Sequence, residues 1–153
     1  MKGLSTGELD AFLHRNSSTK RFYLGTYPAC VNPISSKEFY FFITNTENHR
    51  QSGEHWNAWI VENKKLVFFD SFGRDPTHWS FPTFYREILD DFKEVYFSNV
   101  QVQAISSVMC GYFCIHYLYL ISHGLDFKDF LVEYSENLEK NDEIVYSIVA
   151  SLF

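Results

Sequence analysis

Trp56-Asn57-Ala58-Trp59-Ile60-Val61-Glu62-Asn63-Lys64-Lys65-Leu66-Val67-Phe68-Phe69-Asp70 is the stretch on which the fold turns. Two runs rich in β-branched and aromatic residues flank a polar turn at 62–65, the pattern of a β-hairpin. Upstream, Phe39-Tyr40-Phe41-Phe42-Ile43-Thr44 reads as a buried strand. Downstream, Glu94-Val95-Tyr96-Phe97 reads as another. A polar loop over 45–53 joins the first strand to the hairpin.

Further out the pattern changes period. Ser5-Thr6-Gly7-Glu8 has the form of a capping box and opens a helix to about Arg15. Residues 16–20 are polar, and 22–30 read as loop, punctuated by Gly25 and Pro28. A helix is expected over 82–92, starting near Ser80 or Thr83. From Ser107 onward, Val108, Cys110, Phe113, Cys114, Tyr117, Leu118 and Ile121 recur at helical spacing until Gly124 stops them. Two more helices are expected over 127–133 and 143–152. Strands grouped early, with helices around them, give an α+β domain with a central mixed or antiparallel sheet flanked by helices, not a doubly wound one.

Composition bounds the function. The chain has 153 residues, enough for one domain spanning 1–153 and a core without staples. Its 16 Phe, 10 Tyr and 3 Trp supply large buried areas. The net charge of -6 repels phosphate backbones, and no Lys/Arg run relieves it, so nucleic acid is not an expected partner. No apolar stretch reaches the ~20 residues of a membrane helix, and no apolar run follows Lys2 as in a secretory signal. Three cysteines form no paired framework, which suits thiols in a reducing compartment.

His55 enters the hairpin's first strand, and its partner is a question of register. A two-residue loop at Glu62-Asn63 sets His55 directly opposite Asp70, with Cβ atoms about 5 Å apart. A loop at Asn63-Lys64 makes them diagonal neighbours on one face. A three-residue loop separates them unless a bulge intervenes. A carboxylate on one ring nitrogen fixes the tautomer and stabilises the imidazolium. Asp70 also opens the turn Asp70-Ser71-Phe72-Gly73, a common task for Asp. Cys110 lies in the first turn of a predicted helix, where the partial positive charge and the N–H groups favour a thiolate and can bind an oxyanion. Gly111 would let a substrate backbone approach. Cys114, one turn on, reads as core, and Cys30 has no evident role. Gln103 and Gln101 both precede Cys110, and either amide could donate to an oxyanion. Zinc is disfavoured: Cys110, Cys114 and His116 cluster without a second ligand pair, and His116 lies off the face shared by the cysteines. No cofactor is expected.

Taken together, these residues resemble the adenovirus-type (adenain-like) cysteine proteases. The order His, acid, Gln, Cys matches that family. So do Phe22-Tyr23-Leu24-Gly25-Thr26-Tyr27, Thr44-Asn45-Thr46, Gly53-Glu54-His55-Trp56, Phe69-Asp70-Ser71-Phe72-Gly73 and Cys110-Gly111-Tyr112-Phe113-Cys114. The likeness covers about residues 4–122. It implies a papain-like core with rearranged chain order and a cysteine endopeptidase. In that reading Cys110 is the nucleophile, His55 the base, Asp70 the orienting acid, and Gln103 with the Cys110 N–H the oxyanion hole. The seven-residue separation favours Gln103 over Gln101. Trp56, after the histidine, is expected to shield the ion pair and, with Gly111, to contact substrate.

The resemblance further implies polypeptide substrates, namely viral or virus-like-element structural precursors cleaved near glycines, and a place in the virion and the host nucleus or cytoplasm. The chain departs from the family in being shorter at its C-terminal end, in lacking the cysteine ahead of Gln103 that would join an activating peptide, and in its acidity. The nearest rival is a ubiquitin-like-protein protease of the SUMO-specific type. That type usually has its glutamine six residues before the cysteine and an Asp where Met109 stands. An inactive interaction module is the remaining alternative.

Overall fold

The computed structural model describes residues 2–46 and 55–153. The expected loop at 45–53, and Gly53 and Glu54 of the histidine motif, lie mostly outside them. The described elements run α1 (Thr6–Arg15), α2 (Ser17–Lys20), β1 (Tyr23–Tyr27), β2 (Phe39–Asn45), β3 (Trp56–Glu62), β4 (Lys65–Phe69), α3 (Tyr85–Asp90), β5 (Glu94–Phe97), α4 (Cys110–Ser122), α5 (Phe127–Leu131) and α6 (Leu138–Leu152). Among the described residues the five strands form one sheet in chain order. The β2–β3 and β3–β4 pairs are antiparallel, and the outer β1–β2 and β4–β5 pairs are parallel. The domain is therefore α+β with a mixed sheet, as the grouping of strands and helices predicts.

Both faces of the sheet are covered, which is why β2 and β3 read as continuous apolar runs rather than alternating ones. On one face Phe41, Ile43, Ala58 and Ile60 meet Leu9 and Leu13 of α1, Phe113 and Leu118 of α4, Phe130 of α5 and Val145 of α6. On the other, Tyr40, Phe42, Trp59 and Phe68 meet Phe81, Tyr85 and Ile88 around α3. Trp59 centres this second layer. It is stacked on Phe42 at 6.1 Å and edge-on to Phe68 at 4.6 Å and Tyr85 at 4.8 Å.

The hairpin register is the diagonal one. Glu62 pairs with Lys65 and Ala58 with Phe69, so the loop is Asn63-Lys64. Both loop residues have positive φ, 50° and 66°, the backbone of a type I′ turn whose twist matches the strands.

Two expectations are corrected, and residues 17–20, read only as polar, form a helical turn. The stretch read as loop over 22–30 contains edge strand β1. Its register shifts between Tyr23 and Thr26, around Gly25 at φ 147°, so the glycine marks a bulge and not the end of a strand. The polar residues 17–20 form α2, whose cap Asn16 accepts from the Ser18 and Thr19 N–H groups. Helix α6 begins at Leu138, not 143, because buried Asn141 ties its first turns to the Ser135 backbone and to the Val102 carbonyl. The Ser5 capping box forms as expected.

Candidate active site

The site grows from the open end of the hairpin. With Asn57 directly opposite residue 70 in register, His55 reaches Asp70 diagonally on the same face. Its Nε2 is hydrogen-bonded to Asp70 Oδ1, which leaves Nδ1 for a second partner. The Cys110 thiol also hydrogen-bonds the ring. Cys110 is the first residue of α4, after the cap Met109, where N–H groups lack intrahelical acceptors. Although mostly covered, Cys110 and His55 both line one cleft of about 850 Å³, with Trp56, Phe72, Arg74, Ser80, Phe81 and the 105–108 loop around them.

Electrostatics follow from these bonds. Burial pushes an imidazole down, but the bonds to Asp70 and Cys110 and the charges behind them outweigh it, raising His55 from 6.5 to about 9. Burial pushes the Asp70 carboxyl up, yet donors from His55 and Arg74 hold it below its usual value. A buried chain feeds the same carboxylate. Trp59 Nε1 donates to Thr44 Oγ1 at 2.9 Å, and Thr44 Oγ1 in turn donates to Tyr85 OH at 2.9 Å. Tyr85 OH donates to Asn57 Oδ1 at 2.8 Å, and Asn57 Nδ2 donates to Asp70 Oδ1 at 3.0 Å. Every donor points toward Asp70, so the chain ends on a carboxylate oxygen that accepts from Asn57.

The structure brings His55, Asp70, Cys110 and Trp56 together. Trp56 sits half in the core, its indole N–H donating to the Leu4 carbonyl at 3.1 Å. The ring lying flat over His55 is Phe72, with centroids 4.8 Å apart, a partner that sequence reasoning missed. Asn57 and Arg74 were missed too. The available signals were Asn57's place in the hairpin register and Arg74's position four residues after Asp70.

One expected role is corrected, and the Gln103 amide, expected as an oxyanion donor, is held by other partners. Gly111 does not face the cleft. A Cβ there would meet Leu4 and Leu9 at 3.3 Å, so its small size admits the N-terminal segment and α1 rather than a substrate. Gln103 is fully buried, and its Nε2 is taken up by the Ser107 carbonyl at 3.0 Å and Ser107 Oγ at 3.2 Å, while Ser71 donates to its Oε1. The Gln101 amide is held by the Gln103 carbonyl at 2.8 Å.

Cys114 is sealed in the core, donating to the Trp56 carbonyl, and burial raises its thiol. Cys30 is exposed, and none of the three cysteines is in a disulfide. His116 bonds Tyr134 OH through Nδ1 at 2.7 Å, and burial drops it to about 4. Among the described residues no three His, Cys, Asp or Glu side chains converge as a metal site, and no helix is long and apolar enough to cross a membrane.

No protein-family model matches the chain. Among solved structures it is similar to the crystal structure of the selenomethionine ASFV pS273R protease, at 19% identity and a TM-score of 0.49. The match covers 76% of this chain and 44% of that one, so the chain spans less than half the length of that protein. A likeness of this degree carries no functional weight, which rests on the site itself.

Proposed function

We propose that this chain is a cysteine endopeptidase with Cys110 as nucleophile, His55 as its base and Asp70 as the orienting acid. One observation carries the proposal: an imidazole bonded to a buried carboxylate and to the thiol of a residue at a helix N-terminus, with imidazole and thiol lining one cleft. With His55 protonated up to about 9, the neutral-pH pair is an imidazolium beside a sulfur nucleophile. Sulfur attacks the scissile carbonyl, and the oxyanion is met by the backbone N–H of Cys110 at the start of α4. His55 then gives its proton to the leaving amine, and later takes one from the water that releases the acyl-enzyme. Gln103 joins the oxyanion hole by exchanging its bonds to Ser107.

The resemblance to adenovirus-type enzymes extends the proposal to precursor polypeptides of a virus or virus-like element, cut near glycines. The test offers the same preparation a glycine-containing precursor peptide and a ubiquitin-like fusion. Cys110→Ala and His55→Ala each abolish cleavage, and Cys114→Ser retains most of it. Cleavage by Cys110→Ala at the wild-type rate rejects the mechanism. Faster turnover of the fusion rejects the precursor reading in favour of a ubiquitin-like substrate.

A further inference from the structure

Arg74 makes more hydrogen bonds to Asp70 than any other described residue does. From the loop after β4 it reaches back to Asp70. Its backbone N–H donates to Oδ2 at 3.0 Å, Nε to Oδ2 at 2.8 Å and Nη2 to Oδ1 at 3.3 Å. The fork thus grips both carboxylate oxygens, the arrangement that fixes a carboxylate in rotation as well as position. Its guanidinium lies between two rings, 5.1 Å from the centroid of Phe72 and 4.5 Å from that of Phe81. Phe72 is the ring stacked on His55. The remaining nitrogen, Nη1, donates to Ser80 Oγ at 3.1 Å, and Ser80 Oγ pairs with His78 Nδ1 at 2.6 Å. The side chain is about a quarter exposed and lines the cleft.

We infer that Arg74 is a positioning residue of the reaction: it locks the carboxylate that orients His55, and it shares that carboxylate's charge with the imidazolium. The inference rests on the cysteine-peptidase reading for its kinetic half only. Arg74 and His55 draw on the same anion, so an arginine there weakens the acid's hold on the histidine proton while improving its geometry. The other ionisable groups around the pair are Cys110 and Cys114 of α4 and Tyr85 of α3. Lys2 and Glu8, from the N-terminal segment and α1, line the same cleft. None of these grips the carboxylate with a second fork.

Arg74→Ala removes both effects, and Arg74→Lys keeps the charge while losing the fork. The imidazole of His55 is titrated by nitrogen NMR in the wild type and both variants, a readout that needs no substrate. Thermal melts confirm that each variant is folded. Expected for Arg74→Ala is an upward shift of the His55 titration by about half a unit or more, as loss of a nearby cation requires. Its kcat falls about tenfold or more with KM changed less, as loss of orientation requires. Arg74→Lys keeps the wild-type titration and recovers only part of kcat. An unchanged or lowered titration in Arg74→Ala overturns the inference, and so does full recovery of kcat by lysine. Should Arg74→Ala fail to fold, Arg74→Gln takes its place, with the same upward shift and fall in kcat expected and an unchanged or lowered titration overturning the inference. Absence of peptide hydrolysis in the wild type defeats the proposed function, while the NMR titration still tests Arg74.

Discussion

Asp70 accepts five hydrogen bonds among the described residues, from His55, Asn57 and three nitrogens of Arg74. Such a carboxylate is both ionised and immobile, and its effect is read at His55. Asp70→Asn removes the anion and leaves burial to dominate, so the His55 value falls from about 9. The imidazolium is the form that protonates the leaving group. The alkaline limb of kcat/KM therefore moves toward lower pH, and the rate drops by about 100-fold or more. A pH–rate profile of the variant checks this, and a limb still near 9 contradicts it. Sequence reasoning reached His55, Asp70 and Cys110 because each sits at the start or end of a regular element, where register and period predict position. Arg74 and Phe72 lie in an irregular turn, where neither guide applies. Gln103 was chosen over Gln101 through the family resemblance, and a matching separation from Cys110 does not say which carbonyl an amide will choose.

At the scale of elements, the β3–β4 hairpin sets the site, because a slip of one residue would send His55 to the other face. Its type I′ turn places Lys64 at φ 66°, a region costly for any residue with a Cβ. Lys64→Gly relieves that cost while keeping the register, as Asn-Gly is the preferred pair in this turn. Stabilisation of about 0.5–1 kcal/mol is expected, which for a domain of this size raises Tm by a few degrees at most. A thermal melt showing a lower Tm contradicts the register. The three simplest loops were equally open to sequence, since Glu62, Asn63, Lys64 and Lys65 are all polar. Only the pairing of buried Val61 with Leu66 and Ala58 with Phe69 selects among them. The strand β1 was hidden by the bulge at Gly25. The early start of α6 was hidden because its first turns are polar and are held by Asn141 rather than by apolar packing.

For the whole molecule, two buried histidines pull stability in opposite directions with pH. His55 is raised from 6.5 to about 9, so its contribution is full below 6.5 and is lost as pH rises through about 9. His116 is lowered to about 4 and stays neutral in the fold, so the unfolded chain gains protons first as pH falls from 6.5 toward 4, and stability drops. Asp70, held below its usual value, adds to the acid-side loss. Tm is therefore expected to peak near pH 6.5 and decline on both sides. His116→Phe flattens the acid side and His55→Ala the alkaline side. Differential scanning across pH checks both slopes, and a Tm still rising at pH 9 contradicts the His55 assignment. The global architecture was the most legible level. Aromatic runs too apolar to be half-exposed strands require helices on both faces of the sheet, and the structure has α1, α4, α5 and α6 on one and α3 on the other.

The proposed chemistry depends on the pairing of Cys110 with His55, and competitive alkylation probes that pairing without a substrate. The folded protein is treated with limiting iodoacetamide at about pH 6, where ordinary thiols are slow, and the three cysteines are quantified by peptide mapping. Cys110 labels first despite its burial, exposed Cys30 follows, buried Cys114 lags, and His55→Ala removes the advantage of Cys110. Labelling of Cys30 ahead of Cys110, or an advantage that survives His55→Ala, would contradict the pairing.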